Sequence, residues 1–129
     1  LGTFHCLQAV GKVMVRQRAG RIVNVTTVAV PLALEGEAAY VASKAAVEAL
    51  TKVAAKELAS SGVIVSAVGF GPIDTALTRA LPRDRLAALN HQLNLAASPT
   101  PAAAAAFLLE HVRSAEAGRI AYLGDVGLT

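Results

Sequence analysis

Tyr40 and Lys44 stand four residues apart in a stretch rich in helix-forming residues. On a helix that spacing puts both side chains on one face, one above the other. A phenol with its ordinary pKa of about 10 is a poor proton donor or acceptor near neutral pH. A neighbouring ammonium favours the phenolate and lowers that value, so such a pair can exchange a proton nearer neutrality. Thr27 lies thirteen positions before Tyr40, where a short β-branched run ends. In a parallel sheet the C-terminal ends of strands line the ligand crevice, and a hydroxyl there can hydrogen-bond a substrate carbonyl beside Tyr40. Alone, a Tyr-x-x-x-Lys pair equally describes a half-buried tyrosine next to a solvated lysine. The ordered context favours chemistry: a hydroxyl-ended strand, the long helix, a second strand and a glycine turn.

The elements that must hold these residues follow from periodicity. Phe4, Leu7, Val10, Met14 and Val15 predict a helix over 3–18, with Lys12, Arg16 and Arg18 near the end that favours cations. Arg21–Thr26 reads as a strand buried on both faces, as in a parallel sheet. Pro31 and Gly36 mark a loop. Glu37–Ser60 reads as a long helix capped by Gly62. Val63–Val68 is a second buried strand, and Gly69-Phe70-Gly71-Pro72 a turn. A helix is expected over Leu81–Leu95, with the spacing of an amphipathic surface helix. Thr100-Pro101 opens another through Val112, and the alanines of 102–106 favour it. Arg119–Leu123 is a third strand. This alternation predicts an α/β fold, a parallel sheet covered by helices and joined by right-handed crossovers.

Composition narrows the class. Of 129 residues, 54% are hydrophobic and 16% charged, which excludes intrinsic disorder. The net charge of +3 is scattered, aromatics are 4%, and no basic stripe suggests nucleic acid as a partner. The apolar stretches 28–34 and 102–109 fall short of the roughly 18–20 residues a spanning helix needs, so no membrane partner is expected. The single cysteine points to no oxidising compartment, and a cytoplasmic protein is expected. Cys6, among apolar residues, reads as core or interface. His5, His91 and His111 form no metal motif, and no metal is expected. The sequon Asn24-Val25-Thr26 lies in a predicted buried strand, so no sugar is expected there. The opening Leu1-Gly2-Thr3-Phe4-His5 has no initiator Met and no basic leader, and reads as the inside of a helix.

Several stretches resemble the short-chain dehydrogenase/reductase family, in particular its 3-oxoacyl-carrier-protein reductase-like branch. They are Gly20-Arg21-Ile22-Val23-Asn24-Val25-Thr26-Thr27, Ala39-Tyr40-Val41-Ala42-Ser43-Lys44-Ala45-Ala46, Ala54-Ala55-Lys56-Glu57-Leu58-Ala59, Val63–Val68 and Ile73-Asp74-Thr75. The resemblance runs over nearly the whole chain and weakens past Leu81, and it implies a substrate lid over Leu81–Leu95 as the alternative to an ordinary surface helix. It implies a doubly wound Rossmann-like parallel sheet, of which residues 1–129 supply the C-terminal half, strands 5–7 with flanking helices, of a single domain. It implies NADP or NAD as cofactor and interconversion of a ketone, such as a 3-oxoacyl thioester, with a secondary alcohol. Tyr40 would be the acid/base. Lys44 would support it and hold the nicotinamide ribose. Thr27, where the family usually has Ser, would polarise the carbonyl. Phe70, Gly71, Ile73 and Thr75, with Tyr40 and Lys44, would contact the cofactor. Helices 3–18 and 37–60 would pair in a homodimer or homotetramer.

The departures matter equally. The glycine-rich dinucleotide turn is absent, as are the residue choosing NAD or NADP, the Asn-Ala-Gly strand and the Asn before the catalytic strand. The usual Pro-Gly turn reads Phe70-Gly71-Pro72, with the proline displaced by two. The alternative expectation is a catalytically incompetent fragment serving only packing or assembly.

Overall fold

A computed structural model of the chain describes residues 1–127. Its elements are α1 (Gly2–Gln17), β1 (Gly20–Thr27), α2 (Ala29–Leu32), α3 (Ala38–Leu58), a 3-10 turn at Ala59–Ser61, β2 (Val63–Phe70), α4 (Ala76–Arg79), α5 (Arg83–Gln92), α6 (Pro101–Ser114) and β3 (Ile120–Tyr122). The strands form a parallel sheet in the order β1-β2-β3. The fold is therefore the α/β arrangement expected from the alternation of elements. Three register rows cross all three strands, and the last of them is Thr26–Gly69–Tyr122.

Valines and isoleucines suit β1 and β2 because branched side chains pack well on a pleated surface. The core sits between the sheet and the α1/α3 layer. Ala54 and Ala55 of α3 meet Val63 and Val65 of β2, and Leu7, Met14, Val15, Ile22 and Leu58 close around them. Small residues at 54 and 55 let α3 lie close to the sheet. Gly62 takes φ +75, as a helix-ending residue should, and a Cβ there would meet the Arg18 carbonyl oxygen at 2.5 Å. On the other face, Thr100 accepts a hydrogen bond from the Ala103 amide and opens α6. His111 of α6 is buried, with its Nε2 3.0 Å from Ser66 Oγ on β2. Burial pushes the imidazole pKa down, and the positive charge of Arg119 adds to this.

Several sequence expectations are corrected. β1 is not buried on both faces. Asn24 and Thr26 are buried against α3, but Val25 on the opposite face is 48% exposed. The 29–34 region is not all loop. α2 forms there with Pro31 inside its first turn, where a missing amide hydrogen costs nothing. Gly69 and Phe70 belong to strand β2 rather than to a turn. The expected helix over 81–95 is shorter and separate from α4. Pro82 sits at φ −55, ψ 130 and α5 begins after it, because a proline disfavours helix in the residue before it. α5 ends before Asn94, which takes φ 55. Cys6 is exposed, so it is not a core residue.

Candidate active site

A cleft of about 570 Å³ opens at the C-terminal ends of β1 and β2. Thr27, Val28, Ala29, Leu34, Glu37 and Tyr40 form one wall, Phe70, Gly71 and Pro72 the base, and Leu77, Thr78, Leu81 and Leu89 the other wall. Thr27 is buried, and its Oγ1 accepts a hydrogen bond from the Ala29 amide at 3.2 Å. That contact uses an oxygen lone pair and leaves the hydroxyl proton for another acceptor. Tyr40, in the first turn of α3, is 47% exposed toward the cleft side of the molecule. Lys44 follows one turn later. Its Nζ donates to the Val25 carbonyl at 3.1 Å, and it lines a separate hollow with Phe4 and Ser43.

The fold thus brings Thr27, Tyr40, Phe70 and Gly71 into one cleft; Lys44, one turn along α3 from Tyr40, lines a different hollow. Ile73 and Thr75 do not line it. The Ile73 carbonyl accepts from the Thr78 hydroxyl, and Thr75 donates its amide to Thr78 Oγ1 at 3.1 Å. The Phe70 ring packs edge-on against Phe107 of α6, with centroids 6.1 Å apart. Gly71 lets the chain pass close over Leu93, since a Cβ there would lie 2.9 Å from Leu93 Cδ1 and that side chain would have to move. Leu81 and Leu89 lie in the segment expected to be a surface helix or a substrate lid, and they do line the cleft, as does Leu77; sequence reasoning missed Leu34 and Glu37 as cleft residues. The i, i+4 spacing of Leu77 and Leu81 was a usable signal; Glu37 offered none.

The apolar wall rides on a segment fastened at both ends. The Asp74 amide donates to the Pro99 carbonyl at 2.8 Å, and Asn90 Nδ2 donates to Ser98 Oγ at 3.0 Å. Leu93 is fully buried beneath Gly71 and Gly124, and its carbonyl accepts from the Asp125 amide at 2.7 Å. Asp74 also receives the Arg79 guanidinium at 2.8 Å, which holds its exposed carboxyl below the usual range.

The tyrosine-bearing wall is tied by polar bonds instead. Asn24 Nδ2 donates to Thr51 Oγ1 at 2.9 Å, and Thr26 Oγ1 donates to Glu48 Oε1 at 2.8 Å. The Tyr122 hydroxyl donates to the same oxygen at 2.8 Å. Burial first, and then Glu48, push the Tyr122 pKa well above its ordinary value, so it remains a donor. Among the described residues, no helix is long and apolar enough to cross a membrane.

A parallel sheet covered by helices, with a cleft at the C-terminal ends of its strands, defines a Rossmann-like α/β protein. The family model described as short chain dehydrogenase matches residues 1–86, and the chain belongs to that family. It is 50% identical over 80 residues to the 3-oxoacyl-[acyl-carrier-protein] reductase of Synechocystis, covering 62% of this chain and 32% of that protein. It is 48% identical over 83 residues to the enzyme of the same description from Staphylococcus epidermidis, covering 64% of this chain and 34% of that one. A solved short-chain type dehydrogenase/reductase from Mycobacterium ulcerans shares the fold at 24% identity, with a TM-score of 0.85 over 95% of this chain and 46% of that one. The chain spans about a third of the length of these curated relatives and just under half of that solved structure.

Proposed function

We propose that this chain carries the catalytic half-site of an NAD(P)-dependent reductase that interconverts a ketone and a secondary alcohol. The observation that carries the reading is the convergence of Thr27 and Tyr40 on one cleft, with the Lys44 ammonium one helical turn from Tyr40. Thr27 hydrogen-bonds the substrate carbonyl oxygen with the proton that the Ala29 contact leaves available. Tyr40 gives its hydroxyl proton to the same oxygen as it becomes an alcohol. Lys44 places a positive charge beside the tyrosine oxygen that is left.

The donor set suits the nicotinamide end of the cofactor. Lys44 has three donors and uses one on Val25, leaving two for ribose hydroxyls. Tyr40 and the backbone of Phe70 and Gly71, which line the cleft, would complete the contacts, and the Ile73 backbone and Thr75 hydroxyl, which lie outside it and are engaged with Thr78, would join only if that segment shifts. When bound, the nicotinamide supplies the hydride that reduces the carbonyl carbon. No glycine-rich phosphate turn occurs in the sequence, so residues 1–129 are read as the C-terminal part of one domain, with the adenosine end gripped elsewhere. The 3-oxoacyl reductases among the relatives support a 3-oxoacyl thioester as substrate; the family resemblance implies NADP as the first cofactor to try, NAD as second, and a cytoplasmic location is proposed with it. Exposed Phe4, Val10 and Val13 on α1 and Val53 on α3 support self-association through these helices.

Partial coverage of the relatives and the edge position of β1 favour a second reading, a fragment that assembles without catalysis. Tyr40→Phe separates the two in the whole protein carrying this sequence, assayed with NADPH and an acetoacetyl thioester. Turnover is expected to fall about 10²–10⁴-fold, the usual contribution of a general acid, with cofactor affinity nearly unchanged. A variant keeping more than about half of the turnover would remove Tyr40 from the chemistry.

A further inference from the structure

We infer that Glu48, at its junction with Thr26 and Tyr122, sets the position of Tyr40 and Lys44 over the cleft, and is a positioning residue of the proposed reaction. The inference rests on that reading of the cleft. Tyr40, Lys44, Glu48 and Thr51 follow one another at helical spacing on α3, so they share one stripe of the helix. Three of the four bond to consecutive residues of β1: Lys44 to Val25, Glu48 to Thr26 and Thr51 to Asn24. The stripe is a ladder that fixes how far α3 slides along β1 and how far it turns about its own axis.

Glu48 is the rung with a second anchor. Its Oε1 accepts from Thr26 on β1 and from Tyr122 on β3, both at 2.8 Å, and the side chain is buried. A carboxylate is an acceptor only, so it can hold two hydroxyl donors together. The second anchor depends on a gap in the middle strand. Gly69 lies in register between Thr26 and Tyr122, and a Cβ there would fall 2.3 Å from Tyr122 Cδ1. Without a side chain at 69, the Tyr122 ring crosses β2 and reaches the α3 face. Glu48 therefore ties the helix to both outer strands of the three.

The mechanical consequence falls on Tyr40. It lies two turns from Glu48, about 12 Å along a rigid helix. A turn of roughly 20° about that axis moves a side-chain atom on the helix surface by about 2 Å. A displacement of about 1 Å at reacting groups can cost about 10²-fold in rate. A role in packing alone would lower stability and leave the turnover of folded molecules unchanged.

The experiment measures kcat, KM and NADPH affinity per folded molecule in the whole protein, with Tyr40→Phe in parallel. Glu48→Met removes the acceptor and keeps the length; Glu48→Gln keeps an acceptor oxygen. For Glu48→Met, kcat is expected to fall about 10–100-fold, with NADPH affinity changed less than about 3-fold. Glu48→Gln is expected to restore kcat to within about 3-fold, and Tyr122→Phe, outside the helix, to lower it about 3–10-fold. If Glu48→Met does not fold, Tyr122→Phe and Thr26→Val carry the test, each removing one hydroxyl donor. Loss of turnover in Tyr40→Phe with unchanged kcat in the folded Glu48, Tyr122 and Thr26 variants overturns this inference and leaves the reading of the cleft standing. Unchanged turnover in Tyr40→Phe overturns the reading itself.

Discussion

On one wall of the cleft, Thr27 and Tyr40 are held by β1 and α3, which three side-chain hydrogen bonds join. On the other wall, Leu77, Leu81 and Leu89 ride on a segment fastened by a buried Leu93 and by backbone bonds near its ends. The first wall brings polar groups and directional bonds, which set angles as well as distances. The second brings apolar surface and a plug, and packing of that kind tolerates changes of shape that keep the volume. Proton transfer needs the first kind of precision; accommodating an apolar chain needs only the second. The family model also ends within the second wall, at residue 86, whereas all of the first wall lies inside the match.

Removing the plug should break the comparison most severely. Leu93 is fully buried, so Leu93→Ala is expected to destabilise by about 2–5 kcal/mol, the usual cost of such a cavity. Urea unfolding measures this. The second wall should loosen, with KM for an apolar-chain ketone rising more than kcat falls. Loss of stability with no change in KM would show that the plug serves the core and not the cleft.

Acid should loosen the layer beneath the cleft base. His111 bonds Ser66 on β2, the strand that leads into Gly71 and Pro72. Its folded pKa lies below the ordinary 6.5, so between the two values the unfolded chain binds more protons. Stability is then full above about pH 6.5 and is lost as pH falls from there toward the folded value. The Tm of the wild type is expected to drop further than that of His111→Gln between about pH 7.5 and 5. Equal slopes would remove His111 as the source.

The smallest effect is expected where a leucine is trimmed at the cleft rim. Leu81 is 48% exposed, so Leu81→Ala should leave stability within about 1 kcal/mol. It should raise KM for an apolar-chain ketone by about 3–10-fold and leave a small ketone unaffected. Equal effects on both substrates would show that the second wall does not read the chain.

How far the sequence could be read differs between these same regions. The strand, long helix, strand order and the Tyr40–Lys44 pair were legible because their signals are local: branched residues, helix formers, four-residue spacing and Gly62 at a helix end. Tertiary contact shifted boundaries where local signals compete. β2 runs on through Gly69 and Phe70 because its neighbours pair with it, although glycine there looks like a turn. Pro82 divided the segment after β2 into α4 and α5.

The Glu48 junction left no trace in the sequence. Its donors lie 22 and 74 residues away, and nothing in the spacing of Thr26, Glu48 and Tyr122 joins them. Leu93 likewise looked like one more apolar position on a helix. The sequence by itself determined the alternation of elements, the face of α3 that carries Tyr40 and Lys44, and the hydroxyl at the end of β1, since each depends on residues a few positions apart. Only the tertiary structure decided that Lys44 bonds the Val25 carbonyl, that Tyr122 crosses Gly69 to reach Glu48, and that Leu93 anchors the apolar wall. Those contacts join distant parts of the chain, and they exist only once the sheet has set its register and the helices have packed against it.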